Sequence, residues 1–389
     1  MFGRRFPLFR LFGFNVRADA GWLIIAVFVT WSLALGAFPA IVPGLSSAMY
    51  WIMGFVGAMG LFGSILLHEV AHAAVARRYG LETRFITLWI FGGVAETVAE
   101  PPSADVELRV AIAGPLCSFV LAFASLGLGL AADLAGLPMA LAALFVYLGW
   151  MNLVLAIFNL LPGFPLDGGR VLRAILWRIR GDLYAATRTA SWVGQAIGLF
   201  LMAAGVLVGL GGNLLGALWW ILIGSFLRRA AISSMQQLDI QRVLEGVAVH
   251  RVMDRVPLIV APTLSLERFV QDYAFARGRM RFPVAQGDEL VGYVDVADVR
   301  AIPQEEWAGR TVESVARAPS SSAVIDPDAN GAEALRRMHE TDATTLLVAS
   351  DGRLEGVLTL EDLVRVLGVK STLEGGDRLA ALRAQELRR

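Results

Sequence analysis

Between Ala20 and Leu67 this 389-residue chain carries no Asp, Glu, Lys, Arg or His. No other feature limits its folding so strongly. One helical crossing of a hydrocarbon core takes about 20 residues, so the stretch is long enough for two. Lipid cannot satisfy open backbone groups, which leaves helices as the natural way to bury such a segment. Four more segments of the same character follow, so that six candidate spans cover residues 20–38, 50–76, 108–131, 139–160, 189–210 and 213–227. A hydrophobic fraction of 56% and a mean hydropathy of +0.60 exclude an ordinary soluble protein. The first 227 residues hold 10 Asp/Glu and 13 Arg, and the remainder holds 24 Asp/Glu and 21 Lys/Arg. This shift divides the chain into a membrane part, 1–230, a linker, 231–249, and a soluble part large enough for one compact domain.

Some classes fall away at once. Net charge is zero and Lys370 is the only lysine, so there is no basic stripe and no nucleic-acid partner is expected. The single cysteine, Cys117, excludes an internal disulfide framework and any CxxC metal site, and reads as a packing residue. Residues 1–19 are basic and rich in Phe and Leu but lack a small-residue cleavage site. They read as an amphipathic lead-in to the first span.

Arginine placement gives an orientation. Arg4, Arg5, Arg10 and Arg17 precede the first span, and Arg77, Arg78 and Arg84 follow the second. Arg170, Arg173, Arg178, Arg180 and Arg188 follow the fourth, and Arg228 and Arg229 the sixth. The opposite loops, near 39–47, 133–138 and 211–212, carry neither Arg nor Lys. The positive-inside rule then places both termini and the soluble part in the cytoplasm of a multi-pass protein of the inner membrane.

At the end of the uncharged stretch stands His68-Glu69-Val70-Ala71-His72. Two histidines four apart share a helix face and can grip one zinc ion, and the glutamate between them is the residue type that takes a proton from an attacking water. Ionisable groups at membrane depth are costly and point to function. A catalytic zinc needs about three protein ligands. The best-placed third is Asp167, in Asn159-Leu-Leu-Pro-Gly-Phe-Pro-Leu-Asp167-Gly-Gly-Arg170, which follows the same end of span four. Pro162 and Pro165 break the helix before it into a re-entrant segment, and Gly168 and Gly169 are expected to let the backbone turn sharply after it. Asn159 fits two roles: a donor to an oxyanion, or a structural amide on the broken helix. Residues 83–91 and 94–99, joined by Gly92-Gly93, read as a β-hairpin whose edge can hold an unwound substrate extended or simply pack over the loop.

HEVAH in one span and the N-x-x-P-x-x-P-L-D-G segment around Asp167 resemble the site-2 protease family of intramembrane zinc metalloproteases. The resemblance implies that His68, His72 and Asp167 bind Zn²⁺ and that Glu69 is the catalytic acid/base. It implies single-span membrane-anchored regulatory proteins as substrates, in a lipid setting. No PDZ-like insertion separates the motifs. The chain is similar instead to the branch, including the sporulation-factor processing protease, that carries a C-terminal pair of CBS domains.

The soluble half repeats itself at an offset of 64 residues: 281–298 aligns with 345–362. Each copy reads strand, turn, strand, helix start, after helical stretches at 264–277 and 331–340, which makes an α/β pseudo-dimer. This resembles a tandem CBS module with repeats at 250–306 and 307–368 and a tail at 369–389. In that family a T/S-x-x-D element holds an adenine nucleotide, which implies Thr359 and Asp362 here. The first copy has Asp295 in the hydroxyl position and keeps Asp298, a departure that weakens its case. Thr359 and Asp362 equally fit a helix cap. CBS modules often pair between chains, so a homodimer is implied. The rival reading from another class is a CBS-gated transporter or channel for a divalent metal. Transporters commonly repeat a broken helix in both halves, and only one broken segment is found.

Overall fold

The computed structural model describes residues 6–89, 92–97, 100–275, 280–287 and 289–373. The chain divides into two compact units, Met1–Met235 and Gln236–Arg389.

Among the described residues, six helices are long and apolar enough to cross a membrane, and all six begin in the first unit. Helix α1 (Ala20–Ser32) runs on through a π-helical turn to Ile41, and α2 spans Ser47–Arg78. Then come α3 (Ala104–Leu134), α4 (Met139–Asn159), the shorter amphipathic α5 (Asp167–Arg180), α6 (Leu183–Leu210) and α7 (Leu214–Glu245). Side-chain oxygens of Asp19, Ser46, Ser103 and Asp182 accept from first-turn amides and start α1, α2, α3 and α6. Leu23, Ile24, Val27 and Phe28 of α1 and Leu214, Leu215 and Leu218 of α7 lie exposed, as expected of faces that meet lipid. Helix α7 is longer than the sixth span read from hydropathy. After Leu227 the sequence turns polar but contains neither Pro nor Gly before Gly246, so nothing stops the helix at the end of the apolar stretch.

A four-stranded sheet lies against α2. Its order is β1 (Phe6–Leu11), β2 (Phe14–Ala18), β3 (Thr83–Trp89) and β4 (Gly92–Thr97); β2 and β3 are parallel and the other pairs antiparallel. Phe14 and Val16 of β2 and Ile86 and Leu88 of β3 pack on Leu66, Val70 and Ala73 of α2. Residues 6–18 are therefore a hairpin, not the amphipathic lead-in expected. Phe12 and Gly13, both at positive φ, form the tight turn that joins β1 to β2. The second hairpin also differs from expectation. Trp89 pairs with Gly92 and Leu88 with Gly93, so both glycines belong to strand β4. The expected Gly92-Gly93 turn is therefore not observed, and the residues linking the two strands, 90–91, lie outside the described residues.

The second unit contains a sheet in the order β5 (Arg281–Gln286), β6 (Glu289–Asp295), β9 (Arg353–Thr359), β8 (Thr345–Ser350), β7 (Val324–Ile325). Strands β5 and β6 start and end 64 residues before β8 and β9. The irregularity at Val284/Ala285 recurs at Val348/Ala349, and the centre of the sheet pairs Glu289 with Arg353. The repeat read in the sequence is thus a structural pseudo-dyad. Helices α8 (Gly331–Thr341) and α9 (Leu360–Leu373) cover the second copy, and Phe269, Phe282 and Val294 centre the core of the first. Residues 231–245, read as part of a linker, are helical, and Leu244 is fully buried with Ile325, Leu346 and Leu358.

Candidate metal centre

His68 and His72 project from α2 one turn apart, and both are buried. Asp167 opens α5, where a negative charge suits the positive end of the helix dipole. Its Oδ2 lies 3.0 Å from Nε2 of each histidine, and the two Nε2 atoms are 3.2 Å apart. Ligands about 2.1 Å from a tetrahedral zinc stand roughly 3.4 Å from one another. The observed triangle is close to that size. Among the described residues this is the one set of three His, Cys, Asp or Glu side chains converging in this way.

The protonation pattern supports a cation. His72 Nδ1 lies 2.7 Å from the carbonyl oxygen of Val110, which can only accept, so the ring proton sits on Nδ1. His68 Nδ1 meets the Ser118 hydroxyl at 2.9 Å. With both rings neutral and protonated on Nδ1, the Nε2 lone pairs would face a carboxylate oxygen across hydrogen-bond distance, an arrangement that a positive ion among them would relieve. The donors fit zinc. Gly114 of α3 gives them room, since a Cβ there would lie 2.1 Å from His72 Nε2 and 2.6 Å from His68 Nε2.

The loop that delivers Asp167 is compact. Phe164 N–H donates to Ala190 O of α6 at 3.2 Å. Gly168 and Gly169 do not make a turn; they occupy the first turn of α5, buried. A Cβ on Gly168 would fall 2.2 Å from Leu160 O, and one on Gly169 2.3 Å from Gly163 C. Two glycines are needed for the broken segment to fold back onto the helix it precedes. Helix α5 is also clamped to α3: Arg173 Nε donates to Glu107 Oε1 at 2.6 Å, and Arg178 Nη1 to Asp105 Oδ1 at 2.8 Å. The Glu107 side chain is fully buried, the Asp105–Arg178 pair exposed. The clamp, Gly114 and Ser118 were not singled out in the sequence. The detectable signal was two acids in the first turn of a long, mainly apolar helix and several arginines on a short amphipathic one.

Glu69 lines a cavity of about 240 Å³ together with His68, His72, Asp167, Asn159 and Arg170. Strand β4 passes directly over Glu69: a Cβ at Gly93 would lie 2.5 Å from Glu69 Cγ. That contact explains the glycine in mid-strand. In the sheet order β4 is an outer strand. Asn159 reaches the cavity, but its Nδ2 donates to Leu155 O of its own helix at 3.0 Å.

In the second unit, Thr359 and Asp362 form a reciprocal cap at the start of α9. Thr359 N–H and Oγ1 donate to Asp362 Oδ2 at 3.0 and 2.6 Å, and Asp362 N–H donates to Thr359 Oγ1 at 3.3 Å. Asp362 also borders a cavity of about 400 Å³ with Arg251, Arg365 and Lys370. In the first copy the matching groups are taken. Asp298 is paired with Arg317, and its hydrogen bond holds that guanidinium above its ordinary pKa. Asp295 accepts from Arg281 through both oxygens, at 2.7 and 3.0 Å.

A buried His-His-Asp donor set with an adjacent glutamate, at one end of a group of membrane-length helices, defines a multi-pass membrane metallopeptidase. Comparison with known proteins agrees. The profile of Peptidase family M50 matches residues 56–140 and 132–205, and that of the CBS domain matches 313–369. Rip3 of Mycobacterium tuberculosis is 34% identical over 367 residues, covering 93% of each chain. The zinc metalloprotease MJ0392 of Methanocaldococcus jannaschii is 30% identical over 337 residues, 85% of this chain and 91% of its own. The solved site-2 protease from that organism is 29% identical, covering 60% of this chain and 95% of its own, with a TM-score of 0.42. The chain belongs to the M50, or site-2 protease, family of membrane zinc metalloendopeptidases and carries a CBS domain.

Proposed function

We propose that this protein is an intramembrane protease that cuts a peptide bond in or near the spanning segment of single-span regulatory proteins. His68, His72 and Asp167 hold its zinc, and Glu69 is its acid/base. The observation that carries this reading is the convergence of three lone-pair donors beside Glu69, in a cavity at one end of the apolar helices. Zinc at such a site acts as a Lewis acid and brings the pKa of an attacking water to about 7. Glu69 accepts a proton as the water oxygen bonds to the carbonyl carbon, and delivers it to the amide nitrogen as the C–N bond breaks. Val110 and Ser118 fix the ring orientations through Nδ1, while Arg173 and Glu107 hold the helix that carries Asp167. A helical substrate hides its backbone; unwound and laid along the outer edge of β4, it gains strand hydrogen bonds beside Glu69.

Regulation belongs to the same reading. The units 250–306 and 307–368 act as a tandem CBS module on the cytoplasmic side, where an adenine nucleotide at Thr359 and Asp362 tunes cleavage and two chains pair as a homodimer. The cavity beside Asp362, with Arg251, Arg365 and Lys370 on its wall, suits a phosphate group. Co-expression of candidate single-span proteins with the wild-type chain or Glu69→Gln tests the protease. Cleavage by the first and none by the second is expected; metal flux without cleavage would favour a transporter. ATP or AMP titration with cleavage rate as readout tests the regulation, and a flat response counts against it.

A further inference from the structure

Peptide hydrolysis builds negative charge on the carbonyl oxygen, and a preorganised donor there is often the largest single contribution to rate. Asn159, read in the sequence as either such a donor or a structural amide, makes the structural bond, giving one of its two Nδ2 hydrogens to Leu155 O of its own helix. Arg170 is the cationic side chain on the wall of the Glu69 cavity. It lies three residues after Asp167 on the same helix face, in the first turn of α5. A cation in that turn opposes the helix dipole, so the position is locally unfavourable and calls for a reason. The other arginines facing α3, Arg173 and Arg178, are committed to Glu107 and Asp105. Arg170 is not committed: its Nη1 is 3.9 Å from Asp167 Oδ1, too far for a hydrogen bond, and its side chain keeps 28% exposure. Among the described residues its guanidinium donates no hydrogen bond shorter than that contact.

We propose that Arg170 is a catalytic residue: its guanidinium N–H groups receive the scissile carbonyl oxygen as it becomes an oxyanion, and then the carboxylate of the newly formed C-terminus. This rests on the hydrolytic reading above. As the water oxygen bonds to the carbonyl carbon, the C=O π pair moves onto oxygen, and Arg170 hydrogen-bonds that oxygen while Glu69 takes the water proton. When the C–N bond breaks, its electron pair leaves with nitrogen, which Glu69 protonates, and the oxygen pair re-forms the C=O; the proton left on the new carboxyl group then passes through Glu69 to the freed amine, so that the products are a carboxylate and an ammonium. Arg170 stays protonated throughout and transfers nothing.

The test uses the full chain in detergent micelles with cobalt in place of zinc, titrated with acetohydroxamate as a small oxyanion probe and followed by the visible cobalt spectrum. Wild type, Arg170→Lys and Arg170→Gln should each hold one cobalt. Probe affinity should fall roughly tenfold or more in Arg170→Gln, with Arg170→Lys between it and wild type. Equal affinity in Arg170→Gln and wild type, with cobalt retained, overturns the proposal alone. Loss of cobalt from Arg170→Gln also overturns it, because Arg170 would then serve only to hold Asp167. A wild-type chain that takes up no cobalt overturns the metal reading as well.

Discussion

Gly114→Ala is the sharpest single perturbation of the metal centre, because it adds one carbon and removes nothing. The added Cβ would stand 2.1 Å from His72 Nε2 and 2.6 Å from His68 Nε2. Relaxed non-bonded contact needs about 3.5 Å. Helix α3 or the rings must therefore give by about 1.4 Å at His72 and about 0.9 Å at His68. Metal ligation tolerates only about 0.2 Å. Loss of a hydrogen-bond partner behind a ligand already costs 10–100-fold in affinity, so direct displacement of two ligands should cost about 100-fold or more, about 2.8 kcal/mol. Overpacking should lower stability by about 1–3 kcal/mol besides. Gly127→Ala on the same helix is the control, since its Cβ would meet nothing within 4 Å. Zinc affinity is measured by chelator competition on the purified full-length protein. Affinity in Gly114→Ala within threefold of the control would refute the reasoning.

Further outcomes follow from the same geometry. Glu107→Gln leaves the Arg173 guanidinium buried without its counter-ion, so stability should fall by about 3–5 kcal/mol and zinc affinity at least tenfold, while the double variant with Arg173→Met recovers part of both; thermal unfolding and chelator competition read them. Ser118→Ala removes the partner of His68 Nδ1 and should weaken zinc about 10–100-fold, with no change in fold by circular dichroism. AMP should bind one per chain by calorimetry, lost in Asp362→Ala and kept in Asp298→Ala, because Arg317 already occupies the first copy's carboxylate. Two equivalents per chain would contradict that.

The membrane part was legible because lipid imposes a coarse rule that sequence obeys openly: long uncharged stretches become helices, and six were found at six expected places. The placement of HEVAH and Asp167 at the same end of their spans rested on counting crossings. The structure brings those residues to within hydrogen-bond distance. The 64-residue repeat was equally readable, since strand limits follow the alternation of apolar residues. What escaped was set by contacts distant in sequence. Gly114 and Ser118 look like packing residues on any apolar helix until α2 is laid against them. Glu107 and Arg173 are 66 residues apart, and nothing local says that they meet. Gly92-Gly93 carries a turn signature, yet Gly93 is there because β4 must pass over Glu69. Phe14, Val16 and Ala18 alternate as a strand should, but the run is short and sits among basic and aromatic residues that also fit an interfacial helix.

Zinc K-edge absorption spectroscopy of the full-length protein and of Asp167→Ala tests the central assignment most directly. The wild type should hold one zinc per chain, with two imidazole nitrogens at about 2.0 Å and carboxylate oxygen at about 2.0–2.2 Å. The variant should lose the ion or show it with the imidazoles alone. A wild-type spectrum without imidazole scattering, or one unchanged by Asp167→Ala, would contradict the account.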